Sequence, residues 1–215
     1  MSCQAPAGSP LDAPEIIAAL AATAELNGAV GVRINGPAHI AAVRMRLEVP
    51  VIGIEKITSA ESEVYITPTL DSARRIAASG ATIVALDATR RRRPGNDTVD
   101  ALISGVRAGL GVAVMADIAT EDEGLHAAGC GADIVATTLC GYTAETRGCP
   151  IPALELVERL ASRLSIPVIC EGGISSPDEL RRAFDCGAFA VVVGRAITGV
   201  DLLVRRFAAA AKRIR

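Results

Sequence analysis

Aromatic residues are nearly absent from this chain. Tyr65, Tyr142, Phe184, Phe189 and Phe207 are the whole complement in 215 residues, and there is no tryptophan. So few rings cannot build the stacking platforms on which bases or sugar faces lie, which argues against an RNA-binding or lectin-like role. A surplus of one charge is missing too. The formal net charge is -2 and the pI about 5.8, so no broad field draws the chain to nucleic acid or to an anionic membrane. Any anion must be caught locally. Long apolar runs are also lacking: half of the residues are hydrophobic, yet charge interrupts them every few positions. None approaches the roughly 18 residues of a membrane span. The opening Met1-Ser2-Cys3-Gln4-Ala5-Pro6 has no basic segment followed by an apolar one, so no secretory signal is read and a cytoplasmic location is expected.

The six cysteines, at positions 3, 130, 140, 149, 170 and 186, show neither CxxC spacing nor a disulfide framework. They read as reduced thiols, mostly small core hydrophobes. No cluster of His, Cys and carboxylate shows metal-ligand spacing, so no metal is expected. His39 and His126 fall in expected helices and read as surface or packing residues.

What is present is a rhythm. Short β-branched runs alternate with Ala/Leu/Arg-rich segments of helical period, the pattern of βα units around a parallel sheet. The length favours one domain over two small ones, and residues 1–215 are read as a single α/β domain. Seven strands are predicted, Ala29 to Ile34, Val51 to Ile54, Thr82 to Asp87, Val112 to Asp117, Asp133 to Thr137, Pro167 to Glu171 and Phe189 to Val193. Their nearly continuous apolarity suits strands buried on both faces. Eight helices fill the gaps: Pro14 to Leu26, Pro37 to Leu47, Thr69 to Ser79, Asp97 to Ala108, Thr120 to Ala128, Pro152 to Leu164, Pro177 to Cys186 and Val200 to Arg213. Only the stub Met1 to Gln4 precedes the first helix. The expected architecture is therefore a (β/α)8 (TIM) barrel with a truncated first strand.

In such a barrel, chemistry sits at the C-terminal ends of the strands. Those ends are polar, charged or glycine throughout: Gln4, Arg33, Lys56, Asp87, Asp117, Thr137 and Thr138, Glu171, Gly194 and Arg195. Lys56 stands out, because Lys and Arg together number 22 and only Lys56 and Lys212 are lysines. A guanidinium stays protonated, whereas a desolvated amine can lose its proton and act as a base or form a Schiff base. Glu171, the only acid between Glu158 and Asp178, reads either as a second acid/base near Lys56 or as a structural ion pair with Arg33. Glycines at Gly172, Gly173 and Gly194, with Arg195, suit backbone N–H contact with a phosphate after the last two strands. The run Arg90 to Arg93 reads as a solvated loop that also attracts a sugar phosphate.

At these same positions the sequence resembles the N-acylglucosamine-6-phosphate 2-epimerase family, whose members are also named N-acetylmannosamine-6-phosphate 2-epimerases. The resemblance runs from Ser2 to about Phe207 through nine ordered motifs. They are Ser2-Cys-Gln, Gly31-Val-Arg-Ile-Asn-Gly, Pro50-Val-Ile-Gly-Ile-Glu-Lys, Tyr65-Ile-Thr-Pro-Thr, Ala85-Leu-Asp-Ala-Thr-Arg-Arg-Arg-Arg-Pro, Met115-Ala-Asp-Ile, Thr137-Thr-Leu-Cys-Gly-Tyr-Thr, Val168-Ile-Cys-Glu-Gly and Val193-Gly-Arg-Ala-Ile-Thr. It implies a cofactor-free barrel, commonly a homodimer, that epimerises C2 of N-acetylmannosamine 6-phosphate in amino-sugar and sialic acid breakdown. It also implies that Gln4 and Arg33 contact the sugar, Lys56 is the base at C2, Asp117 binds or orients the sugar, and Glu171 is the second acid/base. Relatives usually carry more residues before Ser-Cys-Gln. They often have Arg where this chain has Gly173 and Gly199, and a small residue where it has Arg195. Two alternatives fit the residues: a Schiff-base aldolase acting through Lys56, and a non-catalytic sugar-phosphate-binding barrel.

Overall fold

A computed structural model describes residues 1–211. Eight parallel strands follow one another around a single sheet in chain order, β1 Ser2–Cys3, β2 Val32–Asn35, β3 Val51–Ile54, β4 Ile83–Asp87, β5 Ala113–Asp117, β6 Ile134–Ala136, β7 Val168–Glu171 and β8 Ala190–Val192. β1 is only two residues long, yet it pairs with β2 through Ser2 opposite Arg33 and Cys3 opposite Ile34. The Ser2 amide also donates to the Val193 carbonyl at 2.8 Å, which brings the far edge of the sheet round to the start. This is the (β/α)8 barrel the alternation predicts.

The helices are α1 Pro14–Leu26, α2 Pro37–Arg44, α3 Leu70–Ala78, α4 Val99–Gly109, α5 Glu121–Gly129, α6 Leu154–Arg163, α7 Pro177–Asp185, α8 Arg195–Thr198 and α9 Val200–Ala211. Their starts are chemically marked. Proline opens α1, α2 and α7, where its missing N–H costs nothing. Thr69, Thr98, Thr120 and Ser176 accept N–H bonds at the heads of α3, α4, α5 and α7. Thr69 and Thr120 thus stand just outside helices expected to include them. The predicted last helix begins where expected, at Val200 of α9, and its expected end at Lys212 and Arg213 lies outside the described residues; the short α8 before it was not predicted.

Side chains alternate along each strand between two environments. Val32, Ile34, Val51, Val84, Leu86, Val114, Val135, Val168 and Cys170 pack outward with the helices' apolar faces. Ile52, Ile54, Ala85, Met115, Ala136, Ile169 and Val192 fill the barrel interior. Continuing the inward series places Arg33, Asp87, Asp117 and Glu171 at the mouth end of that interior. The residues that end the strands are therefore the ones the barrel aims at its opening. Among the described residues no helix is long and apolar enough to cross a membrane.

Candidate active site

At the mouth, one buried guanidinium holds two carboxylates. Arg33 is 1% exposed and Asp117 fully enclosed, burial that charged groups tolerate only when paired. Arg33 Nη2 donates to Asp117 Oδ2, and Arg33 Nη1 pairs with Glu171 Oε1. Thr138 braces the pair, its hydroxyl donating to Asp117 Oδ1 at 2.7 Å and accepting from Arg33 Nη1 at 3.3 Å. Thr137 holds the Glu171 main chain through its hydroxyl, which accepts the Glu171 N–H at 3.2 Å. The second Glu171 oxygen, Oε2, is buried and has no partner in the protein.

Lys56 faces this cluster from the loop after β3. Its backbone bridges to Ile66, and its N–H donates to Asn35 Oδ1 at 2.9 Å. Its ammonium donates to Gln4 Oε1 at 2.6 Å, and Gln4 Nε2 in turn donates to Ser2 Oγ at 2.8 Å. Although Lys56 is open to solvent from above, the barrel wall around its amine lowers its pKa, and the Arg33 charge adds to the effect against the pull of Glu171 and Asp117. Burial and the Glu171 charge push the Asp117 carboxyl upward against its Arg33 and Thr138 bonds. Two carboxylates around one guanidinium leave a net negative charge, so a proton is favoured within the cluster. A weakened amine beside a proton-holding carboxyl cluster can both remove and return a proton on carbon.

The turn after β7 carries Gly172 and Gly173 at φ +110 and +81, a region glycine enters at no steric cost. A Cβ at Gly173 would meet Ile151 Cβ at 2.9 Å, and one at Gly199 would meet the Arg195 carbonyl oxygen at 2.4 Å. The two positions where relatives often carry arginine are thus shaped here for no side chain. Next door, Gly194 precedes α8, and Arg195 reaches across to donate to the Tyr142 hydroxyl at 2.9 Å, 5.9 Å above the ring centre. Tyr142 also lines a cavity of about 280 Å³ with Glu63, Tyr65, Arg91, Thr143 and Arg147.

All ten candidate residues therefore stand at one end of one barrel, and Arg33, Lys56, Asp117, Thr138, Glu171 and Gln4 are brought together by direct contact or shared charge. The reading of Arg90 to Arg93 as a solvated loop needs correction. Arg93 is buried against Asp87, and Arg91 Nη2 donates to Asp87 Oδ2 at 2.7 Å; only Arg90 and Arg92 are exposed. No ligand spacing is visible along the chain, yet Asp100, His126 and Cys130 converge on the outer helices. The cysteines divide evenly. Cys3, Cys140 and Cys170 are buried, while Cys130 and Cys186 are half-buried and Cys149 is exposed. Ser2, Asn35, Tyr65 and Tyr142 join the site without having been singled out. All four lie inside the ordered motifs, but nothing along the chain marks Ser2 or Asn35 as supports for Gln4 and Lys56.

A parallel barrel with a depressed lysine and paired carboxylates at its strand ends defines an acid–base (β/α)8-barrel enzyme. The model of the family described as "Putative N-acetylmannosamine-6-phosphate epimerase" matches residues 17–213, and the chain belongs to this family. A protein of Synechococcus elongatus named "Putative N-acetylmannosamine-6-phosphate 2-epimerase" is 53% identical over 212 residues, covering 98% of this chain and 91% of that protein. The solved N-acetylmannosamine-6-phosphate 2-epimerase of Clostridium perfringens superposes with a TM-score of 0.91 at 39% identity, covering 97% of this chain and 90% of the other. A 3-hexulose-6-phosphate synthase, 16% identical with a TM-score of 0.61, shares the fold alone.

Proposed function

We propose that this chain, as one catalytic barrel, interconverts N-acetylmannosamine 6-phosphate and N-acetylglucosamine 6-phosphate by inverting C2, a step of amino-sugar and sialic acid breakdown in the cytoplasm. The observation that carries this reading is the lowered Lys56 amine facing the Arg33–Asp117–Glu171 cluster, in a chain of this family. The C2–H bond becomes acidic only when C1 is a carbonyl, so the sugar ring opens first. Neutral Lys56 then takes the C2 proton, and negative charge develops on the C1 oxygen, where donors at the mouth stabilise it. The proton held by the Asp117 and Glu171 carboxyls is delivered through Glu171 Oε2 to the opposite face of C2, and Arg33 holds the other Glu171 oxygen still. The cycle leaves Lys56 with one proton more and the carboxyl pair with one fewer, and exchange with solvent or reverse turnover resets both. Gln4, Asp117 and Thr138 position the sugar, while Gly172, Gly173, Gly194 and Arg195 surround its phosphate.

Incubation with N-acetylmannosamine 6-phosphate in heavy water tests this. Deuterium should enter C2 as N-acetylglucosamine 6-phosphate forms, without added metal or nucleotide. Product lacking C2 deuterium, or a lysine adduct trapped by borohydride, would favour the Schiff-base alternative.

The working form is a homodimer in this reading. α9 contains no buried residue and presents Val200, Val204 and Phe207 at helical spacing, with Phe207 78% exposed. A second copy of this chain covers that face. Light scattering should report twice the chain mass, falling to one chain in Phe207→Glu; a monomeric parent chain refutes it.

A further inference from the structure

On the outer wall of the barrel, three donor atoms of the kinds zinc prefers meet across two helices. His126 lies in the last turn of α5, and Cys130 caps that helix with αR backbone angles, its N–H bonded to the His126 carbonyl at 2.9 Å. The i, i+4 spacing therefore stacks the imidazole and the thiol on one side of the helix. Asp100 approaches from the first turn of α4, with Oδ1 2.7 Å from His126 Nε2, and Cys130 Sγ stands 3.6 Å from the same nitrogen. All three donor atoms lie within 4.8 Å of one another. A tetrahedral ion with bonds of about 2.0–2.3 Å sets its ligands about 3.3–3.7 Å apart. The sulfur–nitrogen separation already meets that figure. The carboxylate, on an exposed side chain, has only to draw back by roughly half an ångström to admit an ion.

We propose that Asp100, His126 and Cys130 form a binding site for a divalent zinc-class ion, with a fourth position open to solvent. Thiolate, imidazole and carboxylate together select such a metal over calcium or magnesium, which take oxygen. His126 binds through Nε2 as the neutral ring with its proton on Nδ1. The Cys130 thiol loses its proton to solvent as the Sγ–metal bond forms, so each ion bound releases one proton and binding weakens as pH falls. Without metal, partial burial and the Asp100 carboxylate hold that thiol above its ordinary range. An ion there would pin the first turn of α4 to the end of α5. It would touch no residue of the barrel mouth, so the site is structural and separate from the proposed turnover.

The test uses the untagged full-length chain titrated with cobalt(II), then with zinc(II). One cobalt per chain should bind with a thiolate-to-metal charge-transfer absorption that zinc displaces and that Cys130→Ser abolishes. His126→Gln and Asp100→Asn, both on exposed side chains, should each weaken binding by at least about tenfold with the circular dichroism spectrum unchanged. An absorption surviving in Cys130→Ser would place the metal on another thiol, such as exposed Cys149, and overturn the assignment. So would a parent chain that binds no cobalt, or folded His126→Gln with parental affinity.

Discussion

Two clusters of arginine and carboxylate sit at strand ends of this barrel, and they are built on opposite charge ratios. After β4, one buried carboxylate serves two arginines. Asp87 accepts from Thr89 N–H at 2.9 Å, from the Thr89 hydroxyl at 2.7 Å and from Arg91 at 2.7 Å, while Arg93 donates to its carbonyl. Every carboxylate oxygen is used. Across β2, β5 and β7, two carboxylates share one arginine, and Glu171 Oε2 goes unpartnered. Although Arg93 Nη1 is buried without a partner, a cluster whose carboxylate oxygens are all filled offers no site for a further proton and contributes order. An unsaturated one keeps a site for a proton, at a cost in stability, and the lowered Lys56 amine stands beside it. Burial and pairing alone therefore do not separate a structural ion cluster from a reactive one; an unfilled carboxylate oxygen does.

The variant that should break this contrast most sharply is Lys56→Arg, which keeps charge and reach but removes any accessible neutral amine. Turnover should fall by about 10²–10⁴-fold, the usual worth of a positioned acid or base, with substrate binding largely retained. Arg44→Lys, on α2, is the control and should change little. The parent enzyme's kcat/KM should rise with pH through the Lys56 pKa, because the working base is the deprotonated amine. That limb should lie below the ordinary lysine range, since burial and Arg33 lower the value. It should fall again once the carboxyl cluster loses its proton, since burial and the neighbouring Glu171 charge push Asp117 up to about 7. Near-native turnover in a folded Lys56→Arg enzyme would move proton abstraction elsewhere.

Arg93→Leu probes the saturated cluster. It removes one partner of a buried ion group, which typically costs about 3–5 kcal/mol, and Arg91 and Thr89 should hold the loss to the lower end. Urea unfolding should show that loss, while turnover per folded molecule stays within a fewfold of the parent. Unchanged stability with collapsed turnover would place the β4 cluster in the chemistry and erase the contrast.

The chain's own pattern foretold the barrel well, because a strand buried on both faces must be apolar along its length and a helix between strands must not be. Val51–Ile54 and Pro14–Leu26 fall where those constraints predict. The catalytic candidates were legible for the same reason: Lys56 and Glu171 are charged residues placed where apolar strands stop. Periodicity reports an element's own surroundings, not what reaches it from elsewhere in the chain. The burial of Arg93 inside a basic run depends on Asp87 across a turn, and the Asp100–His126–Cys130 group forms only when α4 meets α5. The short α8, one turn closed by the Gly199 N–H on the Arg195 carbonyl, carries no period of its own along the chain.

The finest prediction concerns Arg195, which faces the unsaturated cluster's neighbourhood without joining it. With Gly173 and Gly199 shaped for no side chain, Arg195 is the cation left to the loops after β7 and β8, and Tyr142 holds its guanidinium. If it grips the phosphate equally in substrate and transition state, its loss raises KM and leaves kcat nearly alone. A hydrogen bond to a charged group is worth about 1.5–3 kcal/mol, so Arg195→Ala should raise KM for N-acetylmannosamine 6-phosphate by roughly 10- to 150-fold. Tyr142→Phe, which frees the arginine without removing it, should raise KM only a fewfold. The unphosphorylated sugar should be a poor substrate of the parent enzyme and should lose nothing further in Arg195→Ala. A fall in kcat with KM unchanged would give Arg195 a role at the reacting carbon. An equal loss for both sugars would detach it from the phosphate.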